Sequence, residues 1–204
     1  MPARRSKTLG TDGWRAVRAE DVTFANVERV AQATADYWNA QPPAGTRRLV
    51  VLGYDRRFLS DQFARRAAEV FCGNEFEVLL TSQPTPTPAV SYVVKAQRAV
   101  GGVMLTASHN PPAFNGFKLK AHYGGSAEPA LCQAVESWLD RNPVRRAALP
   151  TGKTRSILDI RPAHYKAIKK LVDFPLIARS RLRFAHDALF GVGAGCFSDL
   201  LAGT

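Results

Sequence analysis

No stretch of this 204-residue chain approaches the roughly 20 consecutive apolar residues that a bilayer-crossing helix needs. The opening MPARRSKTLG is basic, but no apolar segment follows it, so neither a membrane partner nor export is expected. Cysteine is scarce. Cys72, Cys132 and Cys196 are odd in number, far apart and outside any CxxC or Cys/His cluster, which argues against a disulfide framework or zinc site. They read as small core residues in a reducing, cytoplasmic setting. Asp-x-Asp does not occur, so a paired carboxylate loop for a divalent cation is lacking. Acidic residues are also outnumbered, 17 Asp and Glu against 28 Lys and Arg, for a formal charge of +11.

What is present is globular material, 46% hydrophobic and 22% charged, which excludes disorder and leaves enough for a sizeable core. The length suits one domain and part of another. The charge excess has a location. Residues 1–140 hold 16 basic and 13 acidic side chains, whereas residues 141–183 hold 12 basic and 2 acidic.

Strand and helix signals alternate through the first half, the pattern of a parallel sheet covered by helices. Val27, Val30, Ala31, Thr34 and Trp38 fall at helical spacing, and RLVVLGYD follows as a buried strand. Ser60 is placed to cap a helix carrying Phe63, Ala67, Val70 and Phe71 and ending at Gly73. FEVLLTS predicts another strand, and PTPTPAVSYVVKAQ a turn entering a helix. AVGGVMLTA then runs as a strand into SHNPPAFNG, where two prolines and an Asn-Gly pair predict a loop. GFKLKAHY predicts a returning strand, and Leu131, Val135, Trp138 and Leu139 an amphipathic helix. Beyond a basic, Pro- and Gly-containing linker, Tyr165, Ile168 and Val172 outline a helix, RLRFAHDALF a strand and GVGAGCFSDLL a glycine-opened helix.

Ligands of open α/β sheets bind at the carboxyl edge of the strands, so the loop after AVGGVMLTA is where chemistry is expected. Ser108 offers a hydroxyl there, flanked by His109 and Asn110, which can donate hydrogen bonds to an anion. Phosphoryl transfer needs such an oxygen together with positive charge around the transferring group. Lys118, ten positions later, could neutralise phosphate or exchange a proton with a substrate hydroxyl. Arg15, in LGTDGWR beside Gly10 and Gly13, is a second cation. Asp12, Asp55, Asp61 and Asp187 read as turn or capping carboxylates, and His122, His164 and His186 as isolated histidines.

In order along the chain, LGTDGWR, YDRRFLS, TPTPA, TASHNPP and NGFK resemble the α-D-phosphohexomutases, the phosphoglucomutase and phosphomannomutase branch. The resemblance implies that Ser108 is the phosphoserine, that Lys118 is general acid or base, that Arg15 and His109 hold the transferring phosphoryl group and that Asn110 shapes the loop. It implies interconversion of hexose 1-phosphate and hexose 6-phosphate, with hexose 1,6-bisphosphate as intermediate or activator. It also implies Mg²⁺ bound through the phosphate of Ser108, its other ligands lying on a carboxylate loop that this sequence lacks. Hexose phosphate and domains II to IV are the partners so implied.

The expected fold is α/β: a three-layer α/β/α domain with a mainly parallel mixed sheet over residues 1–140, a basic linker over 141–156, and an incomplete second α/β domain over 157–204. Such a chain is expected to turn over little substrate by itself. The alternative is a non-catalytic polyanion- or protein-binding fragment using the basic segment 141–183. Nucleic acid ranks low, because aromatic residues for base stacking are not interleaved with these charges. A plainer reading has the basic stretch facing an acidic surface of the protein's own later domains.

Overall fold

The computed structural model describes residues 9–10, 13–150, 157–180 and 182–202, so Asp12 and residues 151–156 of the expected linker lie outside it. The elements in chain order are β1 (Gly13–Val17), α1 (Phe24–Ala40), β2 (Arg47–Tyr54), α2 (Ser60–Gly73), β3 (Glu77–Thr81), α3 (Thr87–Ala96), β4 (Ala99–Leu105), β5 (Phe114–Ala121), α4 (Pro129–Glu136), β6 (Ile157–Leu158), α5 (Arg161–Ile168), α6 (Phe174–Arg179) and α7 (Cys196–Leu201). The strands form one sheet in the order β1-β5-β4-β2-β3-β6. β2 pairs in parallel with β3 and β4, and β3 with β6, while β5 runs antiparallel to both β4 and β1.

Apolar residues cover both faces of this mainly parallel sheet. On one face α1, α2 and α4 bury Val27, Trp38, Phe63, Phe71 and Cys132 against Val103, Leu105 and Phe117. On the other, Ala89, Val90 and Val94 of α3 and Ile160 before α5 meet Val51 and Met104. Three layers result, because successive residues of β2 and β4 point to opposite faces.

Three local expectations are corrected, and one strand was not foreseen. Ser60 does not cap α2. Leu59 is the N-cap, at φ 66°, and the Ser60 hydroxyl instead donates to Asp55 Oδ1 at 2.8 Å. Asn115 and Gly116 lie inside β5 rather than in the loop. Asn115 is buried and donates to Ser60 Oγ at 2.9 Å, while Gly116 admits a close backbone approach, since a Cβ there would sit 2.4 Å from the Trp14 carbonyl oxygen. Strand β1 had no periodic signal in five residues, yet its Arg15 lies opposite Gly116 of β5. Residues 182–190 form no strand. No partner strand among the described residues pairs with them, and Leu182, Phe184, Leu189 and Phe190 stay exposed.

The basic stretch after α4 is docked. Gln32, Asp36 and Asn74, all buried, form a polar cluster between α1 and α2, into which Asn142 donates a side-chain bond and Arg145 a backbone N–H. Arg146 pairs with Glu28 at 2.9 Å, and the Ala147 amide bonds the Glu69 carbonyl.

Candidate active site

The carboxyl ends of β2 and β4 lie side by side, with the Asp55 amide donating to the Leu105 carbonyl at 3.1 Å. The loops that leave them, residues 55–59 and 106–113, border a cavity of about 750 Å³. Arg18, Arg56, Arg57 and His109 face it, with Asp55 its one carboxylate. Thr87, the first residue of α3, lines it as well, which brings the partial positive charge of a helix amino terminus to its rim. Three arginines against one carboxylate make this a place for an anion.

Ser108 is exposed in the cavity and holds a left-handed backbone at φ 58°, uncommon for a residue with a side chain. Its amide donates to Thr106 Oγ1 at 2.9 Å, and the Thr106 hydroxyl donates to Asp55 Oδ2 at 2.6 Å. Asp55 therefore ties the β4 loop to the start of α2, accepting from Thr106, Ser60, the Arg57 amide and Arg57 Nε. The turn expected at Asp55 is there, in the bond from the Arg57 amide at 3.0 Å. Of its other three bonds, those from Ser60 and Arg57 Nε are local and the one from Thr106 crosses the fold, 51 positions away. Arg57 Nη1 donates to the carbonyls of Pro111 and Phe114 at 2.9 and 3.1 Å, and Nη2 to those of Ser108 and Asn110 at 3.0 and 2.7 Å.

Of the residues expected at the site, Ser108, His109 and Asn110 line the cavity together. Arg15 reaches it through Asn110, donating from Nη1 to Oδ1 at 3.3 Å. Lys118 is not on the cavity wall. It pairs with Met104, which does line the wall, and stands on the same sheet face as Arg15, the face opposite Phe117 and Leu119. Nearby, burial and then the Asp61 carboxylate push the Tyr54 phenol above its ordinary pKa.

A sequence profile described as phosphoglucomutase/phosphomannomutase, alpha/beta/alpha domain I, matches residues 6–145. The chain belongs to the α-D-phosphohexomutase family. A phosphoglucosamine mutase of Aromatoleum aromaticum is 33% identical over 201 residues, covering 95% of this chain and 44% of that protein. A phosphoglucomutase of Staphylococcus epidermidis is 28% identical over 162 residues, 76% of this chain and 29% of its own length. A crystal structure from Thermus thermophilus, described provisionally as a phosphomannomutase, superposes with a TM-score of 0.71 at 38% identity, covering 81% of this chain and 36% of that one. The chain spans less than half the length of the curated relatives it matches.

The Mg²⁺ implied for a phosphohexomutase finds no donor set here. No group of three or more His, Cys, Asp or Glu converges among the described residues, and both oxygens of Asp55 are taken by Ser60, Thr106 and Arg57. The residues that sequence reasoning missed are Asp55 as a hub, Arg57, Thr106 and Arg18. The motif YDRRFLS did hold Asp55, Arg57 and Ser60 together, but nothing in it revealed which loop they would grip.

Proposed function

We propose that the chain is the phosphoserine-carrying part of a phosphohexomutase that interconverts hexose 1-phosphate and hexose 6-phosphate, with Ser108 as the group that gives and takes back phosphate. The observation that carries this reading is the placement of Ser108: an exposed hydroxyl at the carboxyl edge of the sheet, in a cavity faced by three arginines. A serine hydroxyl is a weak nucleophile, so transfer from a phosphoserine formed in advance divides the reaction into two easier steps. His109 and Arg15 would stabilise charge on the transferring group, Asn110 would keep the loop and Arg15 in register, and Lys118 would exchange a proton with the sugar hydroxyl.

Hexose 1,6-bisphosphate is the natural donor to an unphosphorylated Ser108. Residues 1–140 then form the phosphoserine domain, 141–156 the connection, and 157–204 the beginning of a second domain, whose Ile157 and Leu158 hydrogen-bond to the edge of the first. Mg²⁺ would take its carboxylate ligands from outside the described residues.

The test is to incubate the purified chain with radiolabelled hexose 1,6-bisphosphate and map the label by peptide mass spectrometry. Label on Ser108, absent from Ser108→Ala and slowed in Arg15→Gln and Lys118→Met, is expected. Label elsewhere, or none, would sink the reading.

A further inference from the structure

We infer that Arg57 is the positioning residue of the Ser108 loop, acting on the backbone that carries Ser108 and not on the phosphate itself. The inference rests on Ser108 being the phosphoryl carrier. A guanidinium has five N–H donors in a planar fork. In Arg57 all five are engaged: Nε with Asp55, Nη1 with the carbonyls of Pro111 and Phe114, Nη2 with those of Ser108 and Asn110. None is left for a ligand.

The loop needs such a clamp for three reasons. Pro111 and Pro112 have no N–H, so this stretch of backbone has few donors of its own. The carbonyls of Asn110 and Phe114 are part-buried, and buried carbonyls left unpaired are costly. Ser108 holds φ 58°, a left-handed backbone that a side-chain-bearing residue keeps only when its surroundings impose it. The clamp is itself held, because the side chains of Arg57 and Asp55 are each only 14% exposed and their ion pair measures 3.2 Å.

A lysine cannot do this. Its three donors radiate from one atom and cannot reach four carbonyls and a carboxylate at once. Arg57→Lys therefore keeps the positive charge of the cavity and loses the fork.

The experiment follows Ser108 phosphorylation by hexose 1,6-bisphosphate in the wild-type chain, Arg57→Lys and Asp55→Asn, alongside backbone hydrogen exchange. In Arg57→Lys the maximal rate is expected to fall about 100-fold, with the half-saturating bisphosphate concentration nearly unchanged. Amide exchange should quicken over residues 108–114 and stay slow in β4 and α2. Asp55→Asn, which loosens the anchor and keeps the guanidinium, should shift both readouts the same way by less.

A phosphate-binding role would show the reverse split, a raised half-saturation with the maximal rate preserved, and would overturn the inference. So would exchange that quickens throughout the chain, or a wild-type rate in Arg57→Lys. Should the wild-type chain take no phosphate, the Ser108 reading fails, and exchange over residues 108–114 alone decides whether Arg57 holds the loop.

Discussion

Thr106 stands between Asp55 and Ser108, its hydroxyl giving its hydrogen to the Asp55 carboxylate and accepting from the Ser108 amide. Thr106→Val keeps the shape and removes both bonds, taking the acceptor from the Ser108 amide and leaving Asp55 Oδ2 with Arg57 Nε. A loss of about 1–3 kcal/mol is expected by urea denaturation, with slower Ser108 labelling. An unchanged denaturation midpoint would mean these bonds carry no net weight. Gly116 is constrained differently. A Cβ there would lie 2.4 Å from the Trp14 carbonyl oxygen and 2.9 Å from that of Thr106, so Gly116→Ala must push β1 off β5 or shift the base of the Ser108 loop. About 1–3 kcal/mol of destabilisation is expected, measured the same way. Asp55 was legible in the sequence as a turn residue, and that local bond exists. Its bond to Thr106, 51 positions away, was not legible, because no periodicity encodes which loop a side chain meets across a sheet.

At the scale of elements, the long helices were legible because their apolar residues recur at a 3.6-residue period, and β2, β3 and β4 because they are short apolar runs bounded by turn residues. Strand β1 was not, since five residues paired at a sheet edge leave no such pattern. The expected strand near Phe184 failed for the converse reason, as residues suited to a strand form none without a neighbour. Helix α5 packs on α3 through His164, whose ring lies 6.1 Å from that of Tyr92 and whose Nδ1 is buried without a hydrogen-bond partner among the described residues. Burial holds this imidazole below its ordinary pKa of 6.5. The neutral form is thus favoured in the folded chain, so this contribution to stability is complete above pH 6.5 and declines as the pH falls through it. Denaturation curves between about pH 7 and pH 5 should show that slope in the wild-type chain and a shallower one in His164→Phe. Equal slopes would remove His164 as the cause.

Across the whole molecule, the charge of +11 is concentrated in residues 141–183, and four of the nine cations described there are held by partners within the chain. Arg145 lies near Asp36 at 3.8 Å, Arg146 pairs with Glu28, Arg161 with Asp159, and Arg141 stacks over Trp138 at 4.8 Å. A strong polyanion site should leave such cations available. Titration with DNA at low and moderate salt is therefore expected to give no tight, salt-sensitive complex, and a complex with a steep salt slope would revive the binding-fragment reading. The unit also presents one anion cavity without a donor set for Mg²⁺ among the described residues. The chain assayed alone is accordingly expected to label at Ser108 yet isomerise hexose phosphates slowly at best, as a coupled assay would show.

The sequence by itself determined the alternation of strands and helices, the family motifs and the position of Ser108 after a buried strand, because each is written in residues close together along the chain. Tertiary structure alone decided what surrounds that serine. Arg57 meets carbonyls 51 to 57 residues away, Asp55 joins two strand ends, and Arg15 arrives from a separate edge strand. These contacts depend on strand order and sheet register, which arise from packing the whole core.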